Sequence, residues 1–439
     1  MKKVVKSKSD FRYSTGDSKV PWAAVGESIN VDDISSIIRF LIPGANDDKA
    51  YNSQLSKIHQ ELGKLLKEGS YASKLSLGDN VKALEEATKK FLKAKYACFV
   101  TNATAGFEIG FKFAGLKPGD EVIAPAITFL STIAYPLTIG AKVVLADVDP
   151  LTLNIDPKDI ERKITKKTRA IIPVHIGGYP CNMDAIMKLA KKHDLTVVED
   201  CAHAFGASYN GKAIGTIGDF GSYSFHEVKN INSIGEGGIV VTNTEFGEEL
   251  PKSRFGGFDI AHPIDKWLYD VVALKGKGDH YSMAGNHSST EIQAVVLINQ
   301  IKRLPEIIRI RKKNAEYLNK RFANIKGIIP SPADTKEIKS AHHLYLLQLD
   351  YKKLKGDIQD FKVKMTERGI TQIPHFAPLY RFSYLKQLGY DTKAIQKSCP
   401  NAEEAFLHKF THLPLYPLTE EQVKYLADNV IAAVEEMRK

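Results

Sequence analysis

One lysine stands where a reactive amine could be held in place. Residues 221–243 read GSYSFHEVKNINSIGEGGIVVTN, in which Lys229 follows a short apolar run that ends at Phe225. Three glycines within residues 235–238 then precede a β-branched run. Glycines and polar residues between two such runs indicate strand, turn and strand. A solvated side chain is the ordinary state of a lysine in a turn, so other residues must single out Lys229.

Polar or aromatic residues also follow three other predicted strands, at the edge where α/β sheets bind ligands. Thr104 lies in the segment TNATAG, which opens a helix whose N–H groups and hydroxyl could bind phosphate. Ordinary helix capping by Thr and Asn is the alternative for that segment. Phe129 follows the next strand and, considered alone, favours a core position. Asp200 is a carboxylate that is costly to leave unpaired, with a helix N-cap as the alternative.

These four groups have one economical explanation. A phosphate cradle, an aromatic plate, a strand-end carboxylate and a lysine are the parts needed to hold pyridoxal phosphate. The lysine forms the Schiff base, the carboxylate keeps the pyridine nitrogen protonated, and the aromatic ring stacks on the cofactor. The order of the four groups along the chain therefore predicts a pyridoxal-phosphate enzyme.

The composition is that of a globular protein with anionic ligands. The chain has 439 residues, enough for two or three domains, and is 43% hydrophobic and 26% charged. The net charge of +10 comes from 61 basic residues that are spread along the whole chain. A negatively charged small substrate therefore fits better than nucleic acid, which we do not expect as a partner.

The cysteines and the apolar runs indicate a cytoplasmic protein. Cys98, Cys181, Cys201 and Cys399 form no CxxC pair and no metal-ligand spacing, so we expect free thiols and no metal site. The N terminus has no apolar core of a signal peptide, and no apolar run approaches the ~20 residues that a membrane span needs. The sequence predicts a cytoplasmic protein without a membrane span.

The elements that must position these residues form an α/β arrangement. We expect a flexible arm at 1–20, N-terminal helices at 21–95 with a helical insertion at about 42–74, a large cofactor-binding domain at 96–300 and a smaller α+β domain at 301–439. Short strands without clean alternation favour a mostly parallel sheet that is buried on both faces. Helices are predicted over Val31–Leu41, Val81–Leu92, Ala103–Phe113, Met183–His193, Phe361–Arg368 and Thr419–Met437, and over Thr290–Ala323 as one helix or two broken at Pro305. Strands are predicted over Tyr96–Thr101, Glu121–Ala124, Lys142–Ala146, Ala170–Val174, Thr196–Val198 and Tyr345–Leu349.

The sequence resembles the DegT/DnrJ/EryC1/StrS sugar aminotransferases. The motifs that carry the resemblance are PAITFLSTIAYPLTIGAKVVLADVDPLTLNID, AIIPVHIGGYPCNMDAI, VVEDCAHAFGASYNGKAIGTIGDFGSYSFHEVKN, GEGGIVVTN and HLPLYPLTEEQV. The resemblance runs from about Pro21 to the C terminus, apart from Ile42–Lys74. It implies a pyridoxal-phosphate-dependent transferase of fold type I, with a mostly parallel, mixed seven-stranded sheet between helices and a smaller α+β C-terminal domain.

The resemblance also implies roles for individual residues. Lys229 falls on the Schiff-base lysine and Asp200 on the carboxylate that pairs with the pyridine nitrogen. His203 matches a position near the phenolic oxygen of the cofactor, and Phe129 matches the stacking aromatic.

The remaining matches concern the phosphate of the cofactor. Ala103 and Thr104 match a Gly-Thr pair that binds it, with alanine in place of the usual glycine, and Ser224 matches a serine that also reaches it. Asn286 resembles an asparagine that reaches the phosphate of the neighbouring subunit, which implies a homodimer with two shared active sites.

Two departures from the family pattern concern the substrate. The family commonly has Asn-x-Arg-Met where this chain has Asn286-His287-Ser288-Ser289, so a usual arginine near the substrate is missing. The stretch Phe255 to His280 is also unlike common members. Both departures leave the anionic part of the substrate to be recognised in another way.

The resemblance implies transamination. An amino group would pass from glutamate, or glutamine, to a ketosugar by a ping-pong route through pyridoxamine phosphate, giving an aminosugar for a surface polysaccharide, lipopolysaccharide or glycosylated metabolite. Three alternatives stay open: an acceptor that is a free keto-sugar acid or cyclitol, a pyridoxamine-phosphate-dependent ketosugar dehydratase, and a non-catalytic regulator that binds the cofactor. The dehydratases carry histidine in place of Lys229, which favours transamination.

Overall fold

The computed structural model describes residues 29–45, 47–69, 74–265, 268–373 and 376–439. The predicted arm at 1–20 lies outside these residues. The chain divides into two compact units, one of residues 1–79 with 290–292 and the other of residues 80–289 with 293–439. The domain boundaries expected from the sequence stay a prediction.

The helices of the described residues alternate with strands through most of the chain. They are α1 (Val31–Leu41), α2 (Lys49–Glu68), α3 (Asp79–Leu92), α4 (Ala103–Phe113), α5 (Ser131–Thr138), α6 (Pro157–Lys163), α7 (Met183–His193), α8 (Leu250–Arg254), α9 (Glu291–Phe322), α10 (Ile358–Glu367), α11 (Ser383–Gln387), α12 (Thr392–Ser398), α13 (Pro400–Glu404) and α14 (Glu420–Glu436). The strands are β1 (Tyr96–Val100), β2 (Glu121–Pro125), β3 (Lys142–Ala146), β4 (Thr168–Ile171), β5 (Thr196–Asp200), β6 (Ser208–Tyr209), β7 (Lys212–Ala213), β8 (Phe220–Ser224), β9 (Gly238–Thr242), β10 (Phe258–Asp265), β11 (Leu268–Val271), β12 (Leu274–Lys275), β13 (Tyr281–Ser282), β14 (Ile328–Ile329), β15 (Ile338–Lys339), β16 (Tyr345–Leu349) and β17 (Phe410–Leu413).

The larger unit contains the predicted sheet. Its seven strands run in the order β1-β9-β8-β5-β4-β2-β3, and all are parallel except β9, which is antiparallel to both of its neighbours. The predicted mostly parallel, mixed seven-stranded sheet is confirmed. Parallel strands must be linked by crossovers, and α4, α5, α6 and α7 lie between successive strands of this sheet.

Helices cover both faces of the sheet. Cys98 and Val100 of β1 belong to one buried apolar cluster, together with Phe107 and Phe111 of α4. Phe99, between them in sequence, belongs to a second cluster on the opposite face, which includes α3 and α7. Successive side chains of a strand point to opposite faces, so a sheet covered on both faces needs apolar residues at nearly every position. This explains the short strands without alternation.

A second, smaller sheet lies near the C-terminal end of the sequence. Its strands run in the order β14-β16-β17, and the paired strands are antiparallel. A third apolar cluster joins this sheet to α10 and α14. Both helices start at capping boxes, in which Asp357 and Thr419 are the N-cap residues.

The smaller unit contains a helical pair. Helices α1 and α2 begin at Asn30 and Asp48, whose side chains accept backbone hydrogen bonds from Asp33 and Tyr51. Residues 75–78 and 290–291 join within this unit, where the Gly78 N–H donates to Glu291 Oε1 at 2.7 Å. The helical segment that the sequence predicts within residues 42–74 is therefore present as α2.

The hairpin of β10 and β11 differs from the rest of the larger unit. Its antiparallel register is irregular, and most of its residues are exposed. It lies in the stretch Phe255 to His280 that departs from the family pattern. Elsewhere, the four cysteines are buried free thiols, as the sequence predicts.

Within the described residues, no helix is both long enough and apolar enough to cross a membrane.

Candidate active site

The predicted site residues gather at one edge of the large sheet. Asp200 ends β5 and Ser224 ends β8, and these parallel strands are direct neighbours. Ser224 lies opposite Gly238 at the start of the antiparallel β9, and Gly238 in turn lies opposite Val100 at the end of β1. This edge therefore brings together the residues that follow β1, β5 and β8, although they are distant in sequence.

Lys229 lies in the loop that follows β8. Its side chain is partly buried, and its backbone N–H donates to the His226 carbonyl at 2.9 Å. Burial lowers the pKa of the Lys229 amine, while the charges of Asp200 and Glu236 act in the opposite direction. The lowered pKa favours the free amine, which is the form of a lysine that can act as a nucleophile and accept a proton.

Asp200 is a buried carboxylate with defined partners. Thr132 Oγ1 donates to its Oδ2 at 2.7 Å, and the Ala202 N–H donates to its Oδ1 at 3.1 Å. Burial raises the pKa of Asp200, and these two hydrogen bonds and the charge of Lys229 oppose the rise. Asp200 belongs to the strand itself, and a turn follows it, so the alternative of a helix N-cap is wrong.

The turn between β1 and α4 has the features of an anion cradle. The side chain of Asn102 caps α4 by accepting from the Ala105 N–H, so the capping function belongs to Asn102, and Ala103 and Thr104 occupy the first turn. A Cβ on Gly238 would lie 2.3 Å from the Asn102 carbonyl carbon, so only glycine lets β9 pass this close to the turn. Ser224 lies beside Gly238 in the sheet. The N–H groups of a helix N terminus favour phosphate.

His203 and Phe129 lie on the segments that follow β5 and β2. The Gly177 N–H donates to His203 Nδ1 at 3.3 Å, and the His203 ring lies 4.6 Å from the ring of His343, measured between centroids. Phe129 is 61% exposed, so the core position suggested by this residue alone is wrong. An exposed aromatic ring beside the edge of the sheet is compatible with stacking on a ligand.

Asn286 is exposed and lies in a segment that is bonded to the β1–α4 turn. The Thr101 N–H donates to the His287 carbonyl at 3.0 Å, and the Asn286 Oδ1 accepts from the Ser288 N–H at 3.1 Å. His287 also lies 3.3 Å from Glu108 Oε1 on α4. Asn286 is thus placed beside the turn that carries Ala103 and Thr104.

The residues of this edge fit pyridoxal phosphate. The chemistry of the donor set is that of the cofactor: a lysine amine, a buried carboxylate, and a helix N terminus with adjacent hydroxyl groups. A Cβ at residue 238 would lie 2.7 Å from the Ala103 nitrogen, so glycine at this position leaves the backbone of the cradle in place. Lys229 would hold the aldehyde and Asp200 the ring nitrogen, and Thr104 and Ser224 would both hold the phosphate.

Glu199, which precedes Asp200 in β5, belongs to a buried hydrogen-bonded cluster. His175, Glu199 and Cys201 are buried together. The Cys181 N–H donates to His175 Nδ1, so a neutral His175 donates from Nε2 to Glu199 at 3.2 Å. The Glu199 carboxylate also accepts three backbone N–H bonds, from Gly215, Ile217 and Gly218. These hydrogen bonds occupy the atoms of His175 and Glu199 that could otherwise bind a metal ion. They also connect β5 to the loop before β8.

Sequence reasoning missed three residues of this edge. Thr132 supplies the hydrogen bond to Asp200, and Asn230 and His343 bond to each other at 3.0 Å beside Lys229. The signal for Thr132 was its helical spacing of four from Thr128, to which it bonds at 2.8 Å. His343 lies 113 residues from Asn230 in the sequence and carried no local signal.

The fold defines the class of protein. Solved structures that share it include a Streptococcus pneumoniae protein assigned as a sugar aminotransferase. Its PLP form is 27% identical, with a TM-score of 0.72, over 83% of this chain and 93% of that chain. Its PMP form is 26% identical, with a TM-score of 0.73, over 85% and 95%. The structural neighbours are pyridoxal-phosphate-dependent aminotransferases, and the chain is an enzyme of this class.

The chain belongs to the DegT/DnrJ/EryC1/StrS aminotransferase family, whose model matches residues 56–433. A spore coat polysaccharide biosynthesis protein of Bacillus subtilis is 34% identical over 374 residues, which cover 83% of this chain and 91% of that protein. A pleiotropic regulatory protein of Geobacillus stearothermophilus is 32% identical over 382 residues, which cover 86% of this chain and 96% of that protein. The resemblance stated from the motifs is confirmed.

Proposed function

We propose that this aminotransferase moves an amino group from glutamate, or glutamine, to a ketosugar, and that its product is an aminosugar for a surface polysaccharide, lipopolysaccharide or glycosylated metabolite. The observation that carries the proposal is that the buried carboxylate of Asp200 ends β5 and that Lys229 follows β8, the adjacent parallel strand, at the carboxyl edge of the sheet. A relative named for polysaccharide biosynthesis supports the sugar acceptor. Transfer would follow a ping-pong course in which the cofactor carries the amino group as pyridoxamine phosphate.

Each side chain has a task in this proposal. When bound, pyridoxal phosphate supplies an electron sink for carbanion chemistry. Lys229 holds the cofactor through its amine and, once released, moves the proton that transamination requires. Asp200 holds a proton at the ring nitrogen, because a carboxylate in a buried setting pairs strongly with a cation. Thr132 orients Asp200 through the 2.7 Å hydrogen bond to its Oδ2.

The remaining predicted residues bind and orient the cofactor. Ala103, Thr104 and Ser224 hold the phosphate, Phe129 stacks on the ring, and His203 donates toward the phenolic oxygen. Asn286 reaches the phosphate of a second subunit, so the active enzyme is a homodimer with shared sites. We place the enzyme in the cytoplasm, where amino donors and activated sugars are available.

The acceptor can be nucleotide-linked or free. Two features keep a free keto-sugar acid and a cyclitol as candidate acceptors. One is the irregular β10–β11 hairpin. The other is the sequence Asn286-His287-Ser288-Ser289, which stands in place of Asn-x-Arg-Met. Dehydration of a ketosugar is disfavoured, because Lys229 stands where those enzymes carry histidine.

Membership of the aminotransferase family disfavours a non-catalytic regulator, and the name of the Geobacillus stearothermophilus relative is the reason to test this second candidate. Glutamate separates the two candidates. An aminotransferase converts bound pyridoxal phosphate to the pyridoxamine form and releases 2-oxoglutarate, whereas a protein that only binds the cofactor leaves it unchanged.

The deciding experiment is an acceptor panel. The pyridoxamine form of the enzyme is mixed with nucleotide-linked ketosugars, free keto-sugar acids and cyclitol ketones, and the return of the pyridoxal absorbance is followed. We expect return with a ketosugar and an aminosugar of matching mass. Return with none of the ketosugars would refute the proposed acceptor, and no conversion by glutamate or glutamine would refute the proposed donor.

A further inference from the structure

Asn230 follows Lys229 in sequence and has its side chain fixed from both ends. Its Nδ2 donates to the Ala341 carbonyl at 2.9 Å, and its Oδ1 lies 3.0 Å from His343 Nδ1. The reversed amide would bring two acceptor oxygens together, so these contacts allow one orientation only. Because Oδ1 can only accept, His343 Nδ1 must carry the hydrogen.

His343 is a neutral ring with a defined tautomer. Burial holds the pKa of His343 well below its ordinary value, and the charges of Lys229, Arg311 and His412 lower it further. Among the described residues, the titratable His203 also faces the ring, at 4.6 Å between ring centroids. A neutral imidazole with its hydrogen on Nδ1 has a lone pair on Nε2. His343 therefore offers a hydrogen-bond acceptor in the vicinity of the Lys229 charge.

The neighbouring His203 is fixed in the opposite tautomer. Its Nδ1 accepts from the Gly177 N–H, so a neutral His203 carries its hydrogen on Nε2. The backbone segments that carry the two rings can approach because residue 178 is glycine: a Cβ there would lie 2.8 Å from the His203 carbonyl oxygen and 3.1 Å from the His343 backbone nitrogen. One ring thus presents a donor and the other an acceptor.

The backbone around His343 is held as firmly as its ring. Arg311 Nη1 donates to the His343 carbonyl at 3.0 Å. The N–H groups of Ala341 and Leu344 donate to the carbonyls of Gly178 and Gly177 at 3.0 and 3.1 Å. With the backbone fixed, the tautomer is the remaining variable, and Asn230 controls it.

We propose that Asn230 is a positioning residue: it holds His343 as the Nδ1–H tautomer, so that Nε2 accepts a hydrogen from the N–H or O–H of the substrate bound at Lys229. The proposal rests on the proposed function for the identity of that substrate. Its physical reason is the polarity of the hydrogen bond. With the hydrogen on Nδ1, Nε2 presents a lone pair that attracts the N–H or O–H of the substrate, whereas the opposite tautomer would present a second N–H and repel it.

The test uses the full chain without added cofactor, in which histidine is labelled with ¹⁵N. The ring nitrogens of His343 are assigned with His343→Gln, and their shifts report the tautomer. We expect the Nδ1–H tautomer in the wild type and loss of this single tautomer in Asn230→Ala. The matched control is Asn232→Ala in the same loop, whose side chain accepts only from the Ile234 N–H. Unchanged His343 shifts in Asn230→Ala, or equal shifts in both variants, would overturn the proposal.

A second variant guards against misfolding of the first. Asn230→Asp keeps the acceptor oxygen toward His343 and adds a charge, so His343 should bind its second proton at a pH at least about one unit higher than in the wild type. An unchanged titration of His343 would contradict the proposal. In the loaded enzyme, Asn230→Ala should slow the glutamate half-reaction about tenfold, the effect of one lost hydrogen bond, with cofactor affinity retained.

The two readouts fail separately. If no ketosugar reacts but the tautomer changes as expected, the proposed acceptor is wrong and the role of Asn230 stands. If ketosugars react but the His343 tautomer is unchanged in Asn230→Ala, the proposed role of Asn230 is wrong and the proposed acceptor stands.

Discussion

The edge of the sheet at β5 and β8 and the β10–β11 hairpin belong to the same unit but differ in burial and in bonding. At the edge, every residue of β5, β8 and β9 is buried and the register is regular. In the hairpin the register shifts twice and the side chains of Ile264 and Leu268 are 64% and 58% exposed. The first region is buried and regularly hydrogen-bonded, and the second is exposed and irregular.

The difference teaches where each part of the function is encoded. Asp200 is held by burial and by hydrogen bonds from Thr132 and Ala202, and Lys229 follows the fully buried strand β8, so their chemistry tolerates little change. Exposed residues on an irregular hairpin contribute little to folding and can change with the substrate. Substitutions in the two regions should therefore have effects of very different size.

The largest effect is expected at Lys229. Lys229→Ala should remove the near-visible absorbance band of the bound cofactor and lower turnover by at least about 10⁴-fold, because nucleophile and proton carrier are lost together. The spectrum and the glutamate half-reaction measure both effects. Lys158→Ala, an exposed lysine at the start of α6, is the control and should behave as the wild type. A Lys229→Ala enzyme that keeps the absorbance band and the turnover would contradict the role of Lys229 as nucleophile and proton carrier.

A smaller effect is expected at Thr132, which acts on the acid limb of the pH–rate profile. Burial raises the pKa of Asp200 and the Thr132 hydrogen bond opposes the rise, so Thr132→Val should raise that pKa further. Activity is lost as pH falls through this pKa, because the neutral acid cannot pair with a cationic ring. The acid limb should therefore move up by about one pH unit.

Thr132→Ser keeps the hydroxyl and is the matched control. Its acid limb should stay within a few tenths of a pH unit of the wild type, since the donor to Asp200 is retained. A limb that moves to lower pH in Thr132→Val would show that Asp200 does not carry this ionisation.

The smallest effect on the fold is expected in the hairpin. Ile264→Ser with Leu268→Ser should leave the free energy of unfolding within about 0.5 kcal/mol of the wild type, because neither side chain is buried. The cofactor spectrum should be unchanged while the KM for the acceptor changes. Val363 on α10 is also 58% exposed, so Val363→Ser is the control for replacing an exposed apolar side chain by serine away from the hairpin. A changed spectrum in the hairpin variant, or an acceptor KM that moves equally in Val363→Ser, would remove the division of roles.

Much of the scaffold could be predicted from the sequence. The helix over Met183–His193 and the strand over Tyr345–Leu349 agree with the structure at both ends. The helix has clear terminal signals, because Asn182 caps its start and Asp194 ends it in the left-handed conformation. The segment 290–323 is one helix, since Pro305 did not break it.

Other predictions failed for identifiable reasons. The strand expected over Ala170–Val174 lies at Thr168–Ile171 instead. Pro173 has no N–H to donate to a ladder, so the apolar run continues past the end of the strand. Phe129 considered alone suggested a core position, because composition does not distinguish an apolar residue that packs in the core from an exposed one.

The contacts that refine the site were beyond the reach of local patterns. The Thr132–Asp200 bond joins residues 68 apart, and the bond between Asn230 and His343 joins residues 113 apart. Sequence periodicity reports which face of an element is buried, but not which polar atoms meet across elements. Lys229 and Asp200 could be proposed from their positions at the ends of strands, whereas the sequence does not show which distant side chains bond to Asp200 and to Asn230.

Gly178 has a practical consequence for anyone who wishes to redesign this enzyme. Its backbone lies in the left-handed region at φ 89°, and it leaves no room for a side chain between the segments that carry His203 and His343. A library that randomises the pocket should leave this position untouched, since even alanine would separate a donor ring from an acceptor ring. Such a library should instead vary the exposed residues of the β10–β11 hairpin, where substitutions can change the acceptor while the residues around Lys229 stay unchanged.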